Sequence, residues 1–284
     1  MSMKNLIPAI AAMLLAAGCA KPLKTLPPYY GPTDTMAQVV RAVNDNNSKI
    51  KTLWSSHTFE ATLVDEKGKS HSFSGDGYLL FMKPENMLLT AGGIIKFFEV
   101  GSNDEQYWFT AYPDEVSTQW WGEKGKLNDQ TAKQIPIRPD LLLEVLGVST
   151  IEEDFMQMPA PVMRFNNDAH AYMFVWSKPV QNRWVAVKET WYDLETKLPR
   201  SVHLFDINGR IILRAYLTEP ETIKGTTAKM PSKFDLFFPE TRSQMTFKLT
   251  DIRPSIKKGP VTIPNPASFS FPAEPGVKKQ IEIK

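Results

Sequence analysis

The chain has one cysteine, Cys19, and four histidines in 284 residues. A lone thiol cannot form an internal disulfide, so no covalent staple holds the fold. His57, His71, His170 and His203 form no H-x-H or H-x-x-x-H pair, and without a second thiol the usual metal-ligand spacings are missing. No apolar run reaches the ~20 residues of a membrane-spanning helix. A charge excess is missing too: 33 basic against 31 acidic residues give a net +2, with no basic stripe, so nucleic acid is not an expected partner. "SFSGDG" lacks the G-x-S-x-G spacing of a nucleophile elbow. Asp76 and Asp206, the carboxylates of "GDG" and "DING", are expected to serve turns. Acids that converge only in space stay open. The expectation is a protein without catalytic residues, metal or cofactor, and not an enzyme.

What is present begins at the N-terminus. Lys4 is the only charge in residues 1–18, and the apolar run Leu6–Ala17 follows it, the layout of a secretory signal peptide. Ala16, Ala17 and Gly18 lead into Cys19. This resembles the bacterial lipobox, with Leu15 one step further out than usual. The resemblance implies a signal peptide over residues 1–18, cleavage before Cys19, and acylation of its thiol, palmitate included. The lone cysteine then has a use, as an attachment point. Residues 19–33, "CAKPLKTLPPYYGPT", are rich in proline and read as an extended tether. By resemblance to the envelope sorting rule, Ala20 in place of Asp after the cysteine directs the protein to the outer membrane.

Residues 34–284 are expected to form one domain. Hydrophobic residues make up 42% and aromatics 11%, enough for a sizeable core. Thr35-x-x-Gln38 is a capping box, and Met36, Val39, Val40 and Val43 follow at helical spacing, predicting a helix of about four turns ending near Leu53. A second helix is expected in "RPDLLLEVLG", with Pro139 early and Gly147 at its end. Between and after them come about a dozen strand-like runs separated by turn signals such as Gly92-Gly93 and Asp206-Ile207-Asn208-Gly209. Short turns favour antiparallel neighbours. The fold class expected is mainly β (α+β), one strongly curved antiparallel sheet covered by a few helices.

Several strands, "GYLLFM", "AYMFVW" and "IILRAYL", are apolar on both faces, where a half-buried strand would alternate. Either both faces are covered, or one lines an apolar cavity. Methionine and tryptophan in the strands suit a cavity that accepts varied apolar ligands.

Three stretches carry a family likeness. "FSGDGYLLFMKPENMLL" is an early strand pair joined at a proline turn; "WYDLETKLPRSVHLFDINGR" has an aspartate-led turn, Leu-Pro-Arg, a strand and an Asn-Gly hairpin; "SFSFPAEPGVKKQIEI" ends in a last short strand. Together they resemble the LolA/LolB-like lipoprotein carriers and receptors of the bacterial envelope. The resemblance implies a half-barrel whose apolar face holds acyl chains. The arginine that soluble carriers have after the proline turn is absent, Leu88 following Met87, so an anchored receptor is implied and not a shuttle. Candidate lining residues are Leu80, Met82, Met87, Leu89, Phe109, Trp121, Met173, Val175, Trp191, Met245 and Phe247; a one-residue change of register would exchange the set. Ile94 and Ile95 are candidates for a membrane-inserting loop, or simply begin the next strand. The implied function is binding of lipid or lipoprotein acyl chains and their placement in the outer membrane. The alternative is a sensor or assembly subunit that uses the same fold to bind another envelope protein.

Overall fold

The computed structural model describes residues 27–65, 67–93, 95–126 and 135–283. The signal peptide, Cys19, the tether up to residue 26, and Ile94 lie outside the described residues.

Helix α1 (Met36–Asn47) starts at the expected box: the Thr35 hydroxyl accepts from the Gln38 N–H, and the Gln38 side chain accepts from the Thr35 N–H at 2.8 Å. It ends six residues before Leu53. Asn47 turns its amide to the carbonyls of Gly147 and Ser149, and the chain is already extended at Thr52.

Six strands then run outward as a meander: β1 (Thr52–Val64), β2 (Ser70–Met82), β3 (Asn86–Ala91), β4 (Phe98–Ser102), β5 (Gln106–Ala111) and β6 (Thr118–Glu123). The chain crosses through α2 (Pro139–Val145), which has Pro139 in its first turn and Gly147, at φ +70°, just past its end. A second meander returns inward: β7 (Ala160–Asn166), β8 (Ala171–Val180), β9 (Arg183–Asp193), β10 (Pro199–Phe205), β11 (Ile211–Thr222), β12 (Lys229–Phe238) and β13 (Ser243–Arg253). Strand β13 pairs with β1 and joins the halves. A small hairpin, β14 (Ile256–Lys258) and β15 (Val261–Ile263), a 3₁₀ turn at Pro266–Phe269 and β16 (Lys279–Glu282) complete the described chain. Strand β16 lies parallel to β6, so one open fourteen-stranded curved sheet runs from β16 to β7, antiparallel except at that edge.

The register gives the sheet two faces and two ends. On the inner face two register rows meet at β1: Trp120, Phe109, Val100, Leu89, Leu79 and Ser55 run from β6 to β1, and Phe59, Phe247, Phe234 and Leu217 run from β1 to β11. The crossing segment packs Ile137, Leu141, Leu142, Val145 and Leu146 into the core that this face builds. Helix α1 lays Val39, Val40 and Val43 on Tyr172, Phe174 and Tyr192 of β8 and β9.

The outer face of β3 to β6 is covered as well. The 3₁₀ turn lies against β3, and Phe271 packs on Trp108 and Trp121 at 5.7 and 5.4 Å. Leu80 is buried on that same face. Both-face apolarity in "GYLLFM" is thus explained by double cover. The turns β1–β2, β3–β4, β5–β6, β8–β9, β10–β11 and β12–β13 gather at one end, called here the mouth end. The N-terminal segment sits at the other, the tether end, where Tyr29 N–H donates to Asn167 O and His170 bonds Pro27 O.

Candidate functional site

At the mouth end the inner face opens into a cavity of about 1020 Å³. Its apolar floor is Leu63 of β1, Ala111 of β5 and Trp120 of β6, all buried, with the partly buried Val116 of the β5–β6 turn. These are strand ends or turn residues whose outward neighbours are polar. The rim is charged: Asp65, Lys67, Asp114, Glu115, Glu240, Arg242, Lys278 and Lys279. Its loops are tied down. Asp65 accepts the N–H groups of Lys67 and Lys69 at 2.9 Å and faces His71 at 3.0 Å, contacts that hold its carboxyl below the usual range. Lys278 reaches Asp114 at 2.7 Å and lowers its pKa likewise. Thr241 donates to Pro136 O, bringing the crossing segment to the mouth. An apolar floor under a charged rim has the polarity of a site for amphipathic molecules, and its volume stands at the upper end of ordinary ligand sites, about 300–1,000 Å³.

The eleven candidate lining residues divide by face. Met87, Leu89, Phe109, Met245 and Phe247 are on the inner face, fully buried in the main core; Phe247 stacks on Phe234 with centroids 4.6 Å apart. Leu80, Met82 and Trp121 share the outer face with the C-terminal segment. Met173, Val175 and Trp191 are on the outer face of β8 and β9, in register with Arg164, Val162 and Ser201. None of the eleven lines the 1020 Å³ cavity. Its floor residues stand at strand ends, and the sequence pattern gave weight to strand centres. Ile95 is 72% exposed in the β3–β4 turn, at the mouth end.

Further hollows exist, two of them of comparable polarity. One of about 610 Å³ lies largely on the outer face between β2 and β11, with Tyr216 and Phe237 on it. The other, about 510 Å³, is beside α2 near the β2–β3 turn.

Asp206 serves a turn as expected, accepting the N–H groups of Asn208 and Arg210. Asp76 does not: it is mid-strand in β2, opposite Thr58. The glycines on both sides of it suggested a turn, but one of them, Gly77, is there because His57 and Thr90 crowd that point. Among the described residues no group of three or more His, Cys, Asp or Glu could hold a metal. One constellation has catalytic residue types: Ser201 Oγ is 3.3 Å from His203 Nε2, and His203 Nδ1 is 3.5 Å from Glu189. Strand β10 is paired on both sides, by β9 and β11, so the backbone N–H groups beside Ser201 belong to the ladder and form no oxyanion hole. No helix among the described residues is long and apolar enough to cross a membrane.

No family model matches the sequence and no curated protein matches it. Solved structures do resemble it in fold. A LolA superfamily protein from Nitrosomonas europaea is 10% identical, over 84% of this chain and 99% of that one, with a TM-score of 0.47. A DUF1329 family protein from Desulfovibrio piger is 14% identical over 80% and 96%, TM-score 0.47. An outer membrane lipoprotein-sorting protein domain from Vibrio parahaemolyticus is 9% identical over 76% and 91%, TM-score 0.47. Identities this low leave function to be argued from the chain's own residues. The chain adopts the expected fold class, mainly β with one curved open antiparallel sheet under two helices, and the solved structures it resembles include LolA superfamily and lipoprotein-sorting proteins.

Proposed function

We propose that this is an envelope protein, acylated at Cys19 after removal of residues 1–18 and held in the outer membrane by a short tether. It binds the acyl chains of lipid or lipoproteins and helps place them. The observation that carries this reading is the apolar-floored 1020 Å³ cavity at the mouth of the inner face. Each methylene moved from water into such a site contributes about 0.8 kcal/mol, so about ten would supply the scale of a micromolar Kd before ordering costs. No reactive group is required. Ile95, exposed in the β3–β4 turn at the same end, would touch the bilayer from which the chain is drawn or into which it is released.

Titration with a fluorescent fatty acid tests the reading. Saturable uptake that Val116→Glu abolishes supports it, because Val116 is on the floor yet only partly buried. Uptake that is absent, or indifferent to that substitution, rejects it.

The alternative role, binding an envelope partner without transport, draws support from the outer-face groove, where Tyr216 is 49% and Phe237 38% exposed. It predicts an envelope protein whose co-purification Phe237→Arg abolishes, with fatty-acid uptake absent.

A further inference from the structure

A second group of exposed apolar side chains stands at the mouth end, on the half of the sheet away from Ile95. Trp184 follows the β8–β9 turn and is 63% exposed; Ile207, in the β10–β11 turn, is 47% exposed. The two tips are one unit: Arg183 Nη2 donates to Ile207 O at 3.1 Å and to Asn208 Oδ1 at 3.3 Å. Arg183 and Arg210 are exposed on it. Asp206, at the start of the same turn, is buried and accepts the backbone N–H groups of Asn208 and Arg210. An aromatic ring, a branched aliphatic and two guanidinium groups at one apex form the composition that settles at a lipid headgroup boundary.

We propose that this double tip is a membrane contact, docking the mouth end on an anionic bilayer surface beside the cavity opening. The inference rests on the acylated anchor of the reading above, and chain length supports it. Pro27 is held at the tether end by His170, and eight Cα–Cα steps, with seven residues between, separate it from Cys19. Fully extended, they span at most about 28 Å. Trp184 is opposite Pro179, eight residues along β8 from Ala171, about 27 Å from the tether end. The tether is therefore long enough for the anchor and the tip to enter the same leaflet, with little slack. The domain then stands on its mouth, and an acyl chain passes between bilayer and cavity without crossing water. Arg183 and Arg210 set the lipid preference through anionic headgroups.

The test uses the full acylated chain in liposomes of phosphatidylethanolamine with increasing phosphatidylglycerol. Acylation consumes the Cys19 thiol, so Trp184→Cys, Ile207→Cys or, at the tether end, Thr227→Cys is the sole site for a polarity-sensitive dye. All three side chains are exposed, and thermal unfolding of each variant verifies that the fold is kept. The expected result is a blue shift and quenching by lipid-borne quencher at 184 and 207, growing with phosphatidylglycerol, and neither at 227. Arg183→Glu with Arg210→Glu should remove the dependence on anionic lipid. Chains that float with the liposomes while the dyes at 184 and 207 stay as aqueous as at 227 overturn the proposal and leave the anchor standing. Chains that do not float overturn the anchor and the docking together.

Discussion

His57 sits in the middle of the inner face, with its edge toward Phe59 and Phe247 and Nε2–H donating to Thr90 O at 2.9 Å. Burial pushes its pKa down to about 4, against the opposing hydrogen bond to Thr90. In the unfolded chain the imidazole returns to about 6.5. The unfolded state thus binds the extra proton between these values, and the stability that the neutral ring supports is complete above about pH 6.5 and lost as pH falls toward 4. We expect this residue to remove about 3 kcal/mol over that window. Urea unfolding at pH 7 and pH 4.5 measures it: His57→Gln should flatten the difference, and an unchanged pH response would contradict the assignment. The same spot constrains its neighbour. A Cβ on Gly77 would be 1.9 Å from Thr90 O and 2.8 Å from the His57 ring, and one on Gly101 would be 2.1 Å from the Trp108 indole, whereas Gly93 has open space. Gly77→Ala and Gly101→Ala should each destabilise by about 3 kcal/mol or more, Gly93→Ala by almost nothing. Melting of the three variants separates them.

At the scale of elements, α1 rests on its N-cap as well as on its apolar stripe. Thr35→Ala should cost about 1 kcal/mol in urea unfolding; a neutral substitution would mean that the box adds nothing beyond packing. The strands give a sharper test of which face matters. Val116 is on the cavity floor and Val175 on the outer face. Val116→Glu should abolish fatty-acid uptake, since losing two methylenes' worth of contact costs about tenfold and the added charge beside the acyl chain costs more, while Val175→Glu should leave it unchanged. Much of this level was legible in the sequence. The Thr35–Gln38 box, the Pro139 and Gly147 ends of α2 and the Asp206 turn all follow from local signals. The face of each strand did not. "GYLLFM" is apolar on both sides because the C-terminal segment covers the outer one, and a contact across about 190 residues leaves no periodic mark near Leu80. The cavity floor was missed for a related reason: Ala111, Val116 and Trp120 belong to one hairpin, but Leu63 is in β1, four strands from β5, and faces them only when the first meander curves.

On the scale of the whole molecule, the two meanders share one apolar inner face, and the described part of the crossing segment packs into the core it builds. What stays open is the mouth, where the cavity, Ile95 and the Trp184–Ile207 tips occur together. On the proposed reading, a short tether at the opposite end would complete a geometry suited to exchanging acyl chains with a bilayer. Native mass spectrometry of the full chain, released from its membrane in mild detergent, tests this most directly. The expected spectrum carries, beyond the mass added at Cys19, a non-covalent lipid that leaves on collisional activation and is missing from Val116→Glu. A wild-type spectrum with the anchor mass alone, from a chain that also takes up no added fatty acid, would contradict it.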